Sequence, residues 1–412
     1  MKVLIVGAGP SGLMCALKAS EKNQVIIIEK NYKAGMKIYI TGKGRCNVTN
    51  NCSENEFINN VVSNPKFMYS SINSFSCQDT MNFFTKSGVN LVTERGNRVF
   101  PYSYHASDIT KALLNACLNN QVIINYSEKV ISIKKEESGF KVLTDKRTYL
   151  VDSVVLATGG KSYPQTGSTG DGYQFARNFD IKVVKPLPGL VPLLIKDQIP
   201  RELFNFTFKN VGLTAFYKEN HRVIRYEFGE LMMGKNSLSG PISLTISSII
   251  NRLSPDSIAL EMDLKPALDD EKLKARIEKD IEDLKKKPNS NAFILVRGLV
   301  PSGMILWILK RINVDSNLAI KYFNEKNVID LVNVLKHFSF DYIGLDSFEH
   351  AIITNGGVDV KEINPKTMEV KKIPGLYIVG ELIDVDAFTG GFNMQIAFST
   401  GYSAGLDLLN KN

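Results

Sequence analysis

The sequence is poor in the residues that build metal centres and disulfide frameworks, with four histidines and five cysteines among 412 residues. The cysteines lie in the first third of the chain, in odd number and without regular spacing: Cys15, Cys46, Cys52, Cys77 and Cys117. This pattern argues against a disulfide framework and indicates a reducing compartment, so we expect a cytoplasmic protein. The histidines lie in unrelated segments without ligand spacing: His105, His221, His337 and His350. We therefore predict no metal site.

Long apolar runs are also missing, since no stretch has the roughly 18 or more apolar residues of a membrane span. The apolar start of the chain is broken by glycines from Gly7 onward, which argues against a signal peptide. Positive charge exceeds negative charge by 50 − 42 = +8, but the charges are dispersed along the chain. This balance suits an enzyme that handles phosphorylated cofactors and anionic substrates. We expect a small-molecule substrate, no nucleic acid and no membrane partner, and make no prediction of oligomeric state.

The beginning of the chain predicts a strand (2–6), a glycine turn, a helix (11–20) and a second strand (24–29). Both strands are continuous apolar runs, as expected when a parallel sheet is covered on both faces. Residues 41–51 are rich in glycine and asparagine and predict a loop. Short β-rich segments at 122–125, 129–134, 140–144 and 153–157 predict an antiparallel meander that returns to the main sheet.

A cluster of prolines and a glycine over residues 186–192 predicts a domain boundary. Strands follow at 191–195, 203–211, 213–217 and 222–228, with the spacing of a barrel or sandwich. Helical periodicity begins after Asp269 and Asp270, which we expect to cap the first helix, and continues through 292–312 and 328–337. The end of the chain returns to α/β character, with a strand at 375–379 and a helix at 393–409.

These patterns predict an α/β fold, in which a Rossmann-like dinucleotide-binding domain is interrupted by an inserted β-barrel domain that carries a helical insert. We predict the Rossmann-like domain over residues 1–188 and 350–412. The β-barrel domain is predicted over 189–265 and 338–349, and the helical domain over 266–337.

The strongest local motif is Gly-Ala-Gly-Pro-Ser-Gly at residues 7–12, directly after a strand and before a helix. Gly7 makes the tight turn, Gly9 lets the backbone approach a pyrophosphate, and Gly12 permits close packing of helix and strand. Glu29 ends the next strand, where a carboxylate accepts hydrogen bonds from ribose hydroxyls and repels the 2′-phosphate of NADP. The motif therefore predicts FAD or NAD.

Two later segments have the same strand–turn character. Ala157-Thr158-Gly159-Gly160 follows an apolar strand and suits close packing against a dinucleotide. Gly380-Glu381 follows another strand and precedes the last helix. A carboxylate here can accept ribityl hydroxyls, and amides near Asn393 can face the flavin N1/C2 edge, where reduction places negative charge.

Together with Thr41-Gly42-Lys43-Gly44-Arg45-Cys46-Asn47-Val48-Thr49-Asn50 and the segment 157–172, these motifs resemble the BaiN-type, aminoacetone-oxidase-like family of bacterial three-domain flavoproteins. The resemblance spans nearly the whole chain in the right order. It implies FAD as the cofactor and NADH or NADPH as a transient electron donor. Lys43 departs from the family pattern by adding a positive charge in the predicted flavin loop.

The predicted cofactor-binding residues fall in the segments described above and in the strand near residue 130. They are Gly7, Gly9, Pro10, Ser11, Gly12, Glu29, Lys30, Lys37, Thr41, Gly44, Arg45, Cys46, Asn47, Val130, Ala157, Thr158, Gly159, Gly380, Glu381, Asp384, Gly391, Asn393 and Met394. For Arg45 we expect a bidentate contact with the FAD pyrophosphate, with an ordinary surface arginine as the alternative.

Two further residues raise questions of mechanism. Cys46 with Cys52 would make a redox pair in a disulfide reductase, but their spacing differs from that class, and we favour a small residue packed near the cofactor for Cys46. Tyr163 is the predicted catalytic residue, since a phenol can donate a proton or bind a carbonyl, and a packing tyrosine is the alternative.

The resemblance implies two reactions: NAD(P)H-dependent reduction of a conjugated C=C bond in steroid- or bile-acid-like enones, and oxidation of a small aminoketone with release of hydrogen peroxide. We expect the reduction. A flavoprotein that acts on nucleic acid and a non-catalytic flavoprotein are two less favoured hypotheses, and the charge of +8 is the only support for the former.

Overall fold

The computed structural model describes residues 1–411, which fold as two compact units. The first unit comprises Met1–Gly189 and the chain from Ser347 onward, and the second comprises Leu190–Asp346. Both ends of the chain therefore build one unit, and the middle of the chain builds the other. The predicted division of the middle segment into separate barrel and helical domains stays a prediction.

The first part of the chain supplies most of the first unit. Its elements are β1 (Lys2–Val6), α1 (Pro10–Ala19), β2 (Gln24–Ile28), β3 (Thr49–Asn50), α2 (Glu54–Asn59), α3 (Tyr69–Ser74), α4 (Cys77–Lys86), β4 (Leu91–Glu94), β5 (Arg98–Pro101), α5 (Ala106–Asn119), β6 (Ile123–Asn125), β7 (Val130–Glu136), β8 (Gly139–Thr144), β9 (Thr148–Val151), β10 (Ser153–Leu156), α6 (Asp171–Asn178) and β11 (Val183–Gly189).

The second unit contains an antiparallel sheet and a group of helices. Its elements are β12 (Leu193–Ile195), β13 (Thr207–Tyr217), β14 (Val223–Met233), β15 (Ser237–Ser239), α7 (Pro241–Ile250), β16 (Ile258–Asp263), α8 (Asp270–Lys285), α9 (Ala292–Arg297), α10 (Ser302–Arg311), α11 (Glu325–Lys336), β17 (Phe338–Phe340) and β18 (Tyr342–Leu345). The seven strands pair in the order β17-β16-β13-β14-β15-β12-β18. The Asp269 side chain caps α8 as predicted, by accepting the amide of Lys272.

The chain returns to the first unit through β19 (Ile353–Val358), β20 (Leu376–Ile378) and α12 (Phe392–Asn410). The central sheet of this unit has five parallel strands in the order β20-β10-β1-β2-β6. Its middle strands are buried along nearly their whole length, because helices cover a parallel sheet on both faces. The predicted Rossmann-like α/β fold with an inserted unit is confirmed.

Three details differ from the prediction. The segment at 122–125 pairs with β2 in the parallel sheet, so the meander contains only β7, β8 and β9. The proline-rich segment forms a strand, β11, which pairs with β19 in a two-stranded sheet, where missing proline amides are tolerated at an edge. The predicted strands at 203–211 and 213–217 are one strand, β13, whose register shifts at a bulge.

Candidate functional site

The three glycines between β1 and α1 have different steric environments. Gly7 has a φ of +108°, and a Cβ there would lie 2.6 Å from the carbonyl oxygen of Ala157. A Cβ on Gly12 would overlap the carbonyl oxygen of Gly7, so only glycine allows the helix to come this close. A Cβ on Gly9 would meet no atom of residues 1–411 within 4 Å. Packing therefore explains Gly7 and Gly12, whereas Gly9 faces open space.

Helix α1 directs free backbone amides toward this open space. Pro10 occupies its first turn, and Gly9 provides no side-chain cap. The amides of Ser11 and Gly12 precede the first intrahelical acceptor. Together with the positive end of the helix dipole, they form a site suited to a phosphate group.

The Glu29 carboxylate is fixed directly beside the glycine turn. It accepts hydrogen bonds from the amide of Ala8 and from the amide of Asn31, both at 2.8 Å. The residue is buried. Each carboxylate oxygen has a second acceptor position, so Glu29 can also accept ribose hydroxyls. That contact stays a prediction.

Lys30 and Lys37, both predicted to bind the cofactor, are paired with other side chains. The Nζ atom of Lys30 donates to Thr169 Oγ1 at 2.6 Å and to Asp171 Oδ2 at 2.8 Å. The Nζ atom of Lys37 donates to Ser162 Oγ at 2.6 Å and to Glu381 Oε2 at 2.5 Å. Lys37 thereby links the region after β2 to the chain after β20.

Glu381 is the centre of a polar cluster that ties three strand ends together. Besides the bond from Lys37, Glu381 Oε1 accepts the Ser162 hydroxyl and the Thr354 amide, each at 2.8 Å. The Thr354 hydroxyl in turn accepts the amides of Lys161 at 2.7 Å and Ser162 at 3.1 Å. The cluster fixes the loop after β10 against β19. The predicted ribityl contact of Glu381 stays a prediction.

The turn after β10 packs against the glycine turn. The Ala157 Cβ would lie 3.2 Å from a Cβ on Gly12, and the Ala157 backbone borders Gly7. Gly159 adopts a positive φ of +70°, and Thr158 Oγ1 lies against Gly172 at the start of α6. Small residues here bring the ends of β1 and β10 into direct contact, as predicted from the sequence.

The chain after β20 also approaches the start of α1. Gly380 has a φ of +70°, and a Cβ there would lie 2.5 Å from Ser11 Oγ. Its amide donates to Thr400 Oγ1 of α12 at 3.0 Å. The structure therefore brings the two glycine-containing strand ends together beside one helix N-terminus.

Helix α12 begins without a side-chain cap at Gly391, whose φ is +98°. The Asn393 carboxamide instead holds the preceding loop, donating to the Ala387 carbonyl at 2.7 Å and accepting the Ala387 amide at 2.9 Å. Backbone amides of the first turn, including that of Met394, precede the first intrahelical acceptor. They are available to a ligand that carries negative charge. Asp384 is buried before this loop.

The predicted flavin loop is a short 3-10 segment, Ile38–Gly44, with left-handed residues inside it. Thr41 donates its hydroxyl to the Ile38 carbonyl at 2.7 Å, and Gly44 has a φ of +87°. Asn47 reaches the start of α12, where its side-chain oxygen accepts the Gly391 amide at 2.9 Å. The loop is thereby attached to the same helix that presents the free amides.

Arg45 contacts a carboxylate and aromatic rings of its own chain. Its Nη1 atom lies 3.1 Å from Glu94 Oε1, and its guanidinium carbon lies 4.5 Å from the centre of the Phe100 ring. The predicted pyrophosphate contact stays a prediction, since the guanidinium already has a partner in this conformation.

Cys46 is buried, and burial raises the pKa of its thiol to about 12. A thiol that keeps its proton is a poor nucleophile. Cys52, the partner that a disulfide-reductase mechanism needs, has its sulfur 3.9 Å from that of Cys77. These observations favour the packing role for Cys46 over the redox role.

Tyr163 directly follows Ser162 of the Glu381 cluster and adopts a left-handed conformation, with φ +52°. Its amide donates to the Phe348 carbonyl at 3.1 Å, and its carbonyl accepts the Thr166 hydroxyl at 2.8 Å. Its own hydroxyl has no hydrogen-bond partner among residues 1–411. Burial raises the pKa of the Tyr163 phenol, so the group keeps its proton. Its catalytic role stays a prediction.

The last predicted cofactor residue, Val130, is buried at the start of β7. Two residues earlier, the Glu128 amide donates to the Glu29 carbonyl at 3.1 Å, which places this strand beside the predicted ribose site. Over the described chain, no three histidine, cysteine or acidic residues are grouped as metal ligands. Nor is any helix of residues 1–411 both long enough and apolar enough to span a membrane.

Sequence reasoning missed Ser162 and Thr354, which hold Glu381. Ser162 lies in a segment that carries the family resemblance, but a serine there gives no sign of its acceptor 219 residues away. Thr354 lies in β19, a strand that the sequence did not predict. A third missed residue, Gln395, is buried in α12 and accepts the hydroxyls of Thr49 at 2.6 Å and Thr80 at 2.8 Å.

The residues at these strand ends fit FAD. Gly9 leaves room for a ligand, the α1 amides suit a pyrophosphate, and Glu29 suits a ribose. The free amides of α12 suit the electron-poor ring edge of a flavin, which becomes negative on reduction. All of these groups belong to the first unit.

Comparisons with known proteins agree with this fit. The model of the family described as HI0933-like protein Rossmann domain matches residues 1–407. The chain is 30% identical over 409 residues to a ribosomal RNA dihydrouridine synthase of Escherichia coli, covering 98% of this chain and 97% of that protein. It is 27% identical over 409 residues to a 3-dehydro-bile acid delta(4,6)-reductase of Clostridium scindens, covering 98% of each.

Among solved structures, the fold is similar to that of 3-ketosteroid delta1-dehydrogenase from Sterolibacterium denitrificans, with a TM-score of 0.53 at 13% identity over 100% of this chain and 99% of that one. At this identity the similarity concerns the fold alone. The family match over nearly the whole chain carries more information and confirms the resemblance found in the sequence. The chain therefore belongs to the HI0933-like Rossmann family of FAD-dependent oxidoreductases.

Proposed function

We propose that this protein reduces a C=C bond conjugated with a carbonyl group, and that NADH or NADPH is the electron donor. The observation that carries the proposal is the Tyr163 hydroxyl, which has no hydrogen-bond partner among residues 1–411 and lies next to the Ser162–Glu381 cluster. A protonated phenol in this position can bind a carbonyl oxygen or donate a proton.

Saturation of such a bond adds one hydride and one proton. FAD, when bound, supplies the hydride. Tyr163 supplies the proton or polarises the carbonyl, and its raised pKa keeps the phenol protonated at neutral pH. Lys37, Ser162 and Thr354 hold Glu381 and thereby the loop on which Tyr163 lies. Free amides at the start of α12 stabilise negative charge.

The names of the two relatives support this reaction type. Dihydrouridine differs from uridine by saturation of the ring C5–C6 bond, which is conjugated with the C4 carbonyl. A delta(4,6)-reductase of a 3-oxo bile acid acts on bonds conjugated with the C3 carbonyl. The two substrates share the reacting bond and little else, so a common catalytic site with different substrate contacts explains both.

For the substrate we favour a uracil ring in RNA, with a steroid-like enone as the second candidate. The RNA candidate rests on the relative that is 30% identical along nearly the whole chain and on the net charge of +8. The enone candidate rests on the bile-acid relative. This choice departs from our expectation that nucleic acid is not a partner, which has not been tested.

The proposal is tested by anaerobic turnover of the FAD-loaded protein with NADH and with NADPH. The substrates are a uridine-containing RNA, free uridine, a 3-ketosteroid with a conjugated C4=C5 bond, and aminoacetone under air. We expect a product that has gained two hydrogens from the RNA or the steroid, detected by mass spectrometry. Hydrogen peroxide formed from aminoacetone, without reduction of any C=C bond, would contradict the proposal and support the oxidase.

A further inference from the structure

A basic surface with exposed tyrosines lies beside the flavin loop in the first unit. We define the basic–tyrosine surface by Lys43, Arg95, Arg98, Tyr102 and Tyr104. Lys43 belongs to the loop, Arg95 lies between β4 and β5, Arg98 begins β5, and the tyrosines follow that strand. Tyr102 is 70% exposed and Tyr104 is 39% exposed. Large aromatic side chains with this exposure are candidates for contact with a ligand.

Contacts show that these residues form one continuous surface. The Arg45 guanidinium lies over the Phe100 ring at 4.5 Å and over the Tyr104 ring at 5.4 Å. Glu94 binds Arg45 at 3.1 Å and Arg98 at 3.5 Å. Arg98 also donates to the Arg95 carbonyl at 3.0 Å.

Positive charge exceeds negative charge on this surface. Glu94 is the carboxylate that serves both Arg45 and Arg98. Lys43 and Arg95 form no ion pair with a carboxylate of residues 1–411. The same carboxylate, through a hydrogen bond with the phenol, raises the pKa of Tyr104, so this tyrosine stays neutral. Two cations are therefore available for anionic groups of a ligand.

A small cavity of about 220 Å³ borders the surface at Tyr102. It is lined by Gly88, Val89, Asn90, Tyr102, Ser103 and Asp108. The Ser103 hydroxyl donates to Asp108 at 2.6 Å, and the Asn90 side chain adds an amide donor and acceptor. An aromatic wall with hydrogen-bonding groups suits a planar polar ring.

We propose that the basic–tyrosine surface binds a single-stranded segment of the RNA that carries the target uracil. This inference rests on the proposed function with RNA as its substrate. Cations spaced along the surface suit successive phosphates, and exposed tyrosines suit stacking of unpaired bases. The cavity beside Tyr102 takes one base. Because the surface adjoins the flavin loop, bound RNA lies on the unit that holds the cofactor.

The test measures binding of a fluorescent, uridine-rich single-stranded RNA to the full-length FAD-loaded protein at several salt concentrations. The first variant combines Arg95→Glu and Arg98→Glu. Its matched control combines Lys286→Glu and Lys287→Glu on the second unit, where Lys286 also has a carboxylate partner, Asp283, at 3.0 Å. Both proteins undergo the same change in net charge.

We expect the Arg95/Arg98 variant to bind RNA at least tenfold more weakly, with a salt slope smaller by about 1.4 for two lost phosphate contacts. Tyr102→Ala should weaken binding about fivefold or more without changing the slope, because stacking is lost and charge is kept. The lysine control should bind RNA as the unchanged protein does.

Equal losses in the arginine and lysine variants would overturn the proposal, since they would show a general charge effect. Failure of the unchanged protein to bind RNA, or binding only to anionic phosphatidylglycerol vesicles, would also overturn it. Reduction of free uridine or of the steroid enone separates this proposal from the proposed function. If that reduction proceeds while RNA binding ignores the surface, only the surface is wrong; if no C=C bond is reduced, the function is wrong.

Discussion

The backbone of α12 at Gly401 lies directly on the carbonyl group of Ser11 in α1. A Cβ on Gly401 would overlap the Ser11 carbonyl oxygen and lie 3.1 Å from its carbonyl carbon. One turn later, a Cβ on Gly405 would lie 2.7 Å from the Cys15 carbonyl oxygen. The two helices whose N-termini present free amides are therefore held together through glycine contacts.

The first prediction concerns this helix contact. Gly401→Val should lower the free energy of unfolding by about 1–3 kcal/mol, since overpacking forces the helices apart. Urea unfolding of the variant and the unchanged protein measures this difference. Gly298→Ala, in which the added Cβ would lie 3.3 Å from the Leu295 carbonyl oxygen, is the control and should change stability much less. Equal stability of the Gly401 variant would show that the helices do not touch here.

The second prediction separates cofactor binding from folding. Gly9→Ala adds a methyl group where no atom of residues 1–411 lies within 4 Å, so the protein without FAD should unfold at an unchanged urea concentration. FAD affinity should fall, because the methyl group occupies the space that the pyrophosphate needs. Gly12→Ala should instead destabilise the apoprotein, because its Cβ overlaps Gly7. Unchanged FAD affinity in Gly9→Ala would place the pyrophosphate elsewhere.

The third prediction concerns Glu29. Glu29→Ala should weaken FAD binding by about 1.5–3 kcal/mol through the loss of charge-assisted hydrogen bonds to ribose. The same change leaves the Ala8 and Asn31 amides without their acceptor, so a stability loss of about 1–3 kcal/mol should accompany it. Glu29→Gln keeps one acceptor oxygen and should preserve more stability than Glu29→Ala. FAD titration measured below the unfolding transition distinguishes the two effects, and equal affinity in all three proteins would remove Glu29 from the site.

The sequence predicted the parts of this site that depend on local geometry. The glycine turn, Glu29 and the start of α12 follow from short motifs at strand ends, where the neighbouring residue dictates the backbone. It could not predict the partners of Glu381, because Ser162 and Thr354 come together only through the pairing of distant segments. The Arg45–Glu94 pair was missed for the same reason, since 49 residues separate its members. The strand β11 was missed because its prolines favour a linker and are tolerated only at a sheet edge.

The fourth prediction concerns Tyr163. Tyr163→Phe should leave reduction of the bound flavin by NADH or NADPH unchanged and slow reduction of the C=C bond by about 10²–10⁴-fold. Because burial raises the pKa of this phenol, the unchanged protein should lose the Tyr163-dependent rate only at pH values above the ordinary range of tyrosine. Stopped-flow measurement of the two half-reactions across pH checks both points. Equal rates of C=C reduction in the two proteins would exclude Tyr163 as the proton donor.

The most direct measurement uses the FAD-loaded protein reduced beforehand with dithionite, so that the identity of the natural donor does not matter. The reduced protein is mixed without oxygen with a uridine-containing RNA or with a conjugated 3-ketosteroid, and the visible absorbance of oxidised flavin is followed. We predict that this absorbance returns with one of the two substrates and that one saturated product forms per flavin. Return of the absorbance only after oxygen is admitted, with both substrates intact, would contradict the account.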